Sequence, residues 1–265
     1  MIGVVTITAG LTGALLALWG VQRLTGNASW ADAGWAAGVG VVVLLGLATS
    51  KIDPWRQTAA MLLMGAWSTR LTWHLVRRSL QAQEDGRFAD MRQRWGDRAQ
   101  RNFLRYFLAQ VPLVLVFCLP AIALDGDVRE PGWRDAVGVG IGVTGLLGGA
   151  IADRQLMRHR DSVAESEICN RGLWKYSRHP NYFFEWVTWC AWPLLASATA
   201  TGSLALVPPV LLLVLLTRVT GIPPTEARAL QRWGDAYRRY QAVTNSFIPW
   251  PPATDSPKQI SKDDT

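Results

Sequence analysis

The chain has 265 residues, of which 49 % are hydrophobic and 18 % charged, with a mean hydropathy of +0.11. This composition excludes a disordered, collagen-like or coiled-coil chain. Three cysteines (Cys118, Cys169, Cys190) with no CxxC or Cys/His spacing exclude a disulfide framework and a zinc site. The formal charge of +7 calls for an anionic partner, whether nucleic acid, lipid surface or phosphorylated ligand.

The charges are unevenly spread. Residues Met1–Gln22, Ala33–Ser50, Tyr106–Leu124 and Ala136–Ala152 carry none, and Gln57–Val76 carries only Arg70. Trp186–Thr217 is a further run of 32 uncharged residues, too long for one span, and Gly202 marks a turn within it. About 20 apolar residues cross a bilayer, so the pattern predicts seven spans. The expected fold is therefore all-α: an integral membrane bundle of about seven transmembrane helices with a cytosolic cofactor-binding face. One seven-span domain covers residues 1–252, and 253–265 is a polar tail expected to be disordered. No basic region precedes the first apolar run, so Met1 onward reads as a mature helix rather than a cleaved signal.

Orientation follows from the basic residues. The odd-numbered connections and the tail carry 22 of the 27 Lys and Arg, eight of them between Arg77 and Arg105. The expected topology places the N-terminus outside and the C-terminus in the cytosol, at the inner membrane for a bacterial chain. Trp19, Trp30, Trp55, Trp73, Trp133 and Trp192 lie near span ends, where an indole suits the headgroup level. Membrane lipid thus accounts for most of the basic charge, and nucleic acid is not needed.

Several polar residues need more than this account. Arg70 lies within the third span with His74 one turn on, on the same helix face. Gln83-Glu84-Asp85-Gly86-Arg87 follows that span, and its acids can cap a helix, pair with Arg or face a cavity. Asp32 at the start of the second span reads as an N-cap. Tyr106 and Gln110 share a face at the start of the fourth span, and a phenol there can bond a carbonyl and donate a proton. The densest cluster is Asn170-Arg171-Gly172-Leu173-Trp174-Lys175-Tyr176-Ser177-Arg178-His179-Pro180-Asn181-Tyr182-Phe183-Phe184-Glu185. Pro180 suits the first turn of a helix whose N-terminus would face an anion. Cations, free N–H groups and aromatic faces together suit a phosphorylated aromatic cofactor. Beyond Arg218, the run from Thr225-Glu226 through Ala227, Leu230, Trp233, Tyr237 and Tyr240 has helical spacing. It reads as an amphipathic helix, lying on the bilayer or closing over the preceding loop.

The run Gly172–Tyr182 with Glu185 resembles the C-terminal signature of the steroid 5-alpha-reductase and sterol-reductase superfamily. Trp67–Gln110, with Arg70-Leu71 and Glu84-Asp85-Gly86-Arg87-Phe88, is similar to a bacterial branch of it, as is the tail Gly221–Pro249. The resemblance implies an oxidoreductase that uses NADPH to reduce a C=C bond of a hydrophobic substrate. It implies a cofactor site of Arg171, Lys175, Arg178, His179, Asn181, Tyr182, Glu185, Arg218, Glu226, Tyr237 and Tyr240. No GxGxxG is present, so the cofactor would not sit in a Rossmann fold. Steroid 5-alpha-reductases hold the substrate ketone with a Gln-Glu pair on the second span and a Tyr on the third. Neither has a counterpart here, which leaves Glu84, Asp85 and Tyr106 as catalytic candidates and Arg70, His74 and Gln110 as substrate contacts. The alternative is an S-adenosylmethionine-dependent methyltransferase, because isoprenylcysteine methyltransferases share an Arg-His-Pro-x-Tyr element. A structural or lipid-binding membrane protein is a third reading.

Overall fold

A computed structural model describes residues 2–81, 84–162 and 167–253. Every regular element among the described residues is helical. In chain order these are α1 (Ile2–Thr25), α2 (Trp30–Thr49), α3 (Pro54–Gln81), α4 (Gly86–Trp95), α5 (Ala99–Phe117) and α6 (Leu119–Leu124). Then follow α7 (Trp133–Ser162), α8 (Pro180–Leu195), α9 (Val207–Val214), α10 (Ile222–Trp233) and α11 (Asp235–Val243). From residue 254 on, the tail expected to be disordered lies outside the described residues.

Among the described residues, five segments are long and apolar enough to cross a membrane: Gly3–Thr25, Trp30–Thr49, Gly86–Leu124, Trp133–Asp161 and Gly202–Trp233. Two of the seven expected spans are not in this set. Helix α3 is 28 residues long, but its central stretch carries Arg70, His74 and several Ser and Thr, which lower its hydropathy. Helix α8 is apolar but only 16 residues long, about 24 Å at 1.5 Å per residue.

The chain divides into two compact units, Met1–Leu146 with Trp186–Val214, and Leu147–Glu185 with Leu215–Thr265. In the first, α3 runs antiparallel along the whole of α2. Gln57 Nε2 donates to the Leu47 carbonyl (2.7 Å), Ser68 Oγ to the Ala36 carbonyl (3.0 Å), and Asn27 Nδ2 to the Ser79 carbonyl (3.1 Å). A Cβ on Gly40 would lie 2.0 Å from Ser68 Oγ, so the small residue sets how closely the two helices approach. Four rings close into a square in the interior. Trp35 meets Trp67 at 5.8 Å, Trp67 meets Trp189 at 5.0 Å, Trp189 meets Phe117 at 4.7 Å, and Phe117 returns to Trp35 at 5.0 Å. All four contacts are edge-to-face, the geometry that the ring quadrupole favours.

A buried ionic knot closes one end of this unit. Arg56 is 0 % exposed and grips Asp135 with two bonds, Nε to Oδ1 at 2.7 Å and Nη2 to Oδ2 at 3.0 Å. Its Nη1 donates to the carbonyls of Asp127 (3.3 Å) and Arg129 (3.1 Å) and lies 3.4 Å from Asp127 Oδ1. Arg129 in turn forks onto the Asp127 carboxylate at 2.9 and 2.7 Å. The knot joins the start of α3, the α6–α7 connection and the start of α7.

The second unit has a smaller core. Ala229, Tyr237 and Tyr240 bury their side chains with Ile168, Leu230 and Trp233 packed against them. The expected single amphipathic helix is broken. Gly234 takes a left-handed φ of +52° and separates α10 from α11. Helix α10 starts at Ile222, with prolines at its first positions, so Thr225 lies a turn inside it rather than at its start.

Deleting one partner of a buried ion pair strands the other, at a cost of about 3–5 kcal/mol. Arg56→Leu is expected to lose about that much stability in denaturant unfolding of the detergent-solubilised protein. An unchanged midpoint would show that the knot carries no weight.

Candidate functional site

In the second unit, the loop that precedes α8 is built from its backbone outward. Gly172 turns the chain with φ +59°, and a Cβ there would strike the Gln155 amide at 2.5 Å. Gln155 Oε1 accepts the Leu173 N–H (2.9 Å), and the Trp174 indole N–H donates to the Ala152 carbonyl (3.0 Å). These bonds seat the 3₁₀ turn Gly172–Lys175 against the C-terminal part of α7. Ser177 is fully buried. Its hydroxyl donates to the Phe247 carbonyl (2.8 Å) and accepts the His179 N–H (3.1 Å). Pro180 opens α8, as its fixed φ predicts.

Glu226 gathers the polar side chains behind the loop. Its Oε1 accepts from Arg178 Nε (2.7 Å) and lies 3.3 Å from His179 Nε2, while Oε2 accepts from Gln241 Nε2 (2.8 Å). Arg178 Nη1 donates to the carbonyls of Gln241 (3.2 Å) and Thr244. The Tyr240 hydroxyl donates to the Trp174 carbonyl. Three expected cofactor residues, Arg178, His179 and Glu226, therefore meet in one network, and two more, Tyr237 and Tyr240, pack edge-on against each other at 5.9 Å in the same small core. Between the two positions left open for the terminal helices, this favours closure over the loop, because the apolar and tyrosine face of α10–α11 is turned into the unit.

Burial holds His179 below the usual histidine range, and the Arg178 charge adds to this against the opposing pull of Glu226. The ring is neutral at pH 7. A carboxylate only accepts, so the neutral ring carries its proton on Nε2 toward Glu226. Tyr182 stacks on the same ring at 5.3 Å and 6°. Burial and the Glu226 charge push the Tyr237 phenol up against the opposing Arg178, and burial does the same for Tyr240, so both remain hydroxyl donors.

The remaining expected cofactor residues make none of the hydrogen bonds of this network. Asn181 Nδ2 donates to Asp153 Oδ1 (3.3 Å), and its Oδ1 accepts the Tyr182 N–H (3.0 Å). Glu185 is half-buried on α8. Arg171, Lys175 and Arg218 are exposed, and none is in an ion pair among the described residues.

The catalytic and substrate candidates lie in the first unit. Glu84 is clamped by Arg92, with Nη2 to Oε1 at 2.6 Å and Nε to Oε2 at 3.0 Å, and also accepts the Ala28 N–H (2.8 Å). Asp85 caps α4 by accepting the Arg87 N–H (2.9 Å) and pairs with Arg78 Nη2 (2.7 Å). Burial raises the Asp85 carboxyl, but the Arg87 and Arg78 charges outweigh it and hold it below its ordinary value. Asp85 thus caps α4 and pairs with Arg78 and Arg87. Asp32 is not the N-cap of α2. Ser29 holds that position, and the Asp32 carboxylate instead accepts from Arg87 Nη2 at 2.8 Å. Tyr106 packs edge-on against Phe88 at 5.4 Å, and Gln110 is buried one turn further along α5. Arg70 and His74 are half-buried on α3. Gln83 lies outside the described residues.

Gln241, Asp153 and Gln155 are site residues that sequence reasoning misses, and Ser177, although inside the Asn170–Glu185 cluster, has no role assigned there. The partners of Ser177 and Gln241 lie 70 and 15 residues away, and no local pattern signals them.

Long apolar helices with polar, ion-paired connections define a polytopic helical membrane protein. The chain belongs to the DUF1295 family, described as a protein of unknown function, whose model matches residues 18–244. No curated protein and no solved structure matches it.

A histidine held low in the folded state makes stability depend on pH. The unfolded chain takes up a proton near pH 6.5 and the folded site resists it, so stability is full above about pH 6.5 and falls as pH drops below that value. The protection factors of the amides across residues 172–179, each rate taken relative to its intrinsic rate at the same pH, are expected to fall between pH 7.5 and 5.5, and His179→Gln to flatten that response. Equal protection factors at both pH values would contradict the assignment.

Proposed function

We propose that this protein is a membrane-embedded, NADPH-dependent reductase of a C=C bond in a hydrophobic, enone-like substrate. The observation that carries the reading is the electrostatics of the 171–182 loop. The Arg178 charge is cancelled from behind by Glu226, while Arg171 and Lys175 stay exposed on a loop braced by buried bonds. A braced pair of cations suits a phosphorylated ligand, since little conformational freedom is lost when the ligand binds. The donor set fits that cofactor: Arg171, Lys175 and Arg218 would hold phosphates, and Asn181, Tyr182 and Glu185 would face the nicotinamide and ribose. When bound, NADPH supplies a hydride to the β-carbon of the substrate.

The residues of the chain have separate tasks in this reading. Arg178, His179, Glu226, Tyr237 and Tyr240 fix the loop and act as positioning residues. Tyr106 is the proposed acid: its hydroxyl donates a hydrogen bond to the substrate carbonyl, hydride arrival at the β-carbon leaves an enolate, and the α-carbon then takes a proton from solvent. Glu84 and Asp85, both ion-paired, orient the segment that packs against Tyr106 through Phe88. The seven-span topology and the cytosolic C-terminus belong to the same proposal. In support, α3 crosses the first unit beside α2 from end to end, with its arginines near its two ends and Arg70 between them.

NADPH is expected to raise the thermal midpoint of the detergent-purified protein, and S-adenosylmethionine to leave it unchanged. Each charged hydrogen bond lost is worth about 1.5–3 kcal/mol, so Arg171→Ala and Lys175→Ala are each expected to weaken NADPH binding about tenfold or more without lowering the midpoint of the free protein. Stabilisation by S-adenosylmethionine alone would overturn the reductase reading in favour of a methyltransferase.

A further inference from the structure

Beyond the cofactor loop, the chain from Asn245 to Pro251 forms a strap whose purpose neither the fold nor the proposed reaction explains. Three bonds fasten it to the loop. The Arg178 N–H donates to the Asn245 carbonyl (2.8 Å), Ser177 Oγ to the Phe247 carbonyl (2.8 Å), and the Trp250 N–H to the Tyr176 carbonyl (2.9 Å). The strap's side chains alternate. Phe247 is buried and meets Phe183 edge-on at 5.6 Å, whereas Ile248 and Trp250 point outward at 59 % and 65 % exposure. Tyr176, joined to Trp250 through the backbone bond, is 41 % exposed beside them. Three large apolar side chains at the surface, on a segment otherwise well fastened, call for an occupant.

The second unit itself identifies that occupant. Trp174 and Leu173 are bonded to α7 at Ala152 and Gln155. Ala152 is the last residue of the charge-free stretch of α7, and Asp153 is the first charge after it. The loop, and the strap fastened to it, are therefore docked at the level where a membrane-crossing helix passes from apolar to charged sequence. That level in a bilayer is the headgroup boundary, where Trp and Tyr are enriched because one edge of the ring prefers hydrocarbon and the other water. The neighbouring Lys175 and Arg171 are exposed cations that suit anionic headgroups at the same level.

We infer that Tyr176, Ile248 and Trp250 form an interfacial anchor that inserts the 245–251 strap into the lipid headgroup region. The anchor fastens the strap to the membrane, and the strap fastens the 176–179 loop. This conclusion rests on the position of the loop on α7 and stands whether or not the loop binds NADPH.

Photo-crosslinking tests it directly. p-Benzoylphenylalanine replaces Trp250 in the full chain, reconstituted in nanodiscs of phosphatidylcholine and phosphatidylglycerol, and the adducts are read by mass spectrometry. The same probe at Ile248 is a second reporter in case the first variant folds poorly, and the exposed Ala236 on α11 is the reference. Lipid adducts at Trp250 or Ile248, several-fold above those at Ala236, are the expected result. Adducts to a second copy of the chain in place of lipid would overturn the inference, as would lipid adducts no more frequent than at Ala236.

Discussion

The second unit depends on the Glu226 carboxylate. Its two oxygens take hydrogen bonds from Arg178, His179 and Gln241, which come from the signature loop and from α11. Arg178 is largely buried, and a buried guanidinium without a counter-charge would cost several kcal/mol. With Glu226 in place the cation becomes a fastener. Its remaining donors then reach the carbonyls of Gln241 and Thr244, the last turn of α11. Glu226 thus turns a run of cations near a helix start into a loop with one fixed shape. The exposed cations on that loop acquire defined positions as a consequence.

The two polar ends of the first unit follow the same rule with different partners. At one end Arg56 is entirely buried and bridges Asp135, Asp127 and two backbone carbonyls. At the other, Arg78, Arg87 and Arg92 are divided among Asp85, Asp32 and Glu84. The acids, rather than hydrophobic content, decide how the ends of the helices are joined. The helix flanks can carry so many arginines because most of those facing inward have a named carboxylate.

Much of this was legible from the residue order. The charge-free runs located α1, α2, α5–α6 and α7, because lipid-compatible helices need long apolar sequence and leave little room for other patterns. Pro180 marked the start of α8. The signature loop and the distant Glu226, Tyr237 and Tyr240 were named as one site, and the fold joins Arg178 and His179 to Glu226 and packs Tyr237 against Tyr240. Features that depend on distant partners were not legible. Nothing local pairs Arg56 with Asp135, 79 residues on. Asp32 looked like a cap, because its position in the first turn was visible and Arg87 was not. Gly234 falls inside the helical spacing of the Thr225–Tyr240 run, where a lone glycine is tolerated. Its left-handed backbone makes it a break, and that break lets α11 turn Tyr240 toward the Trp174 carbonyl.

The formal charge of +7 also changes meaning once the pairs are known. A basic excess near a membrane suggests broad electrostatic attraction, with each arginine contributing to it. In the folded chain, Arg56, Arg87, Arg92 and Arg178 are held by carboxylates and present little free charge. Attraction to an anion must come from the cations left over. On the signature loop those are Arg171 and Lys175, which share no ion pair with any described residue. Neutralising one cation in a row while leaving its neighbours bare is a way of aiming charge. The buried member fixes the backbone, and the bare members take their direction from it.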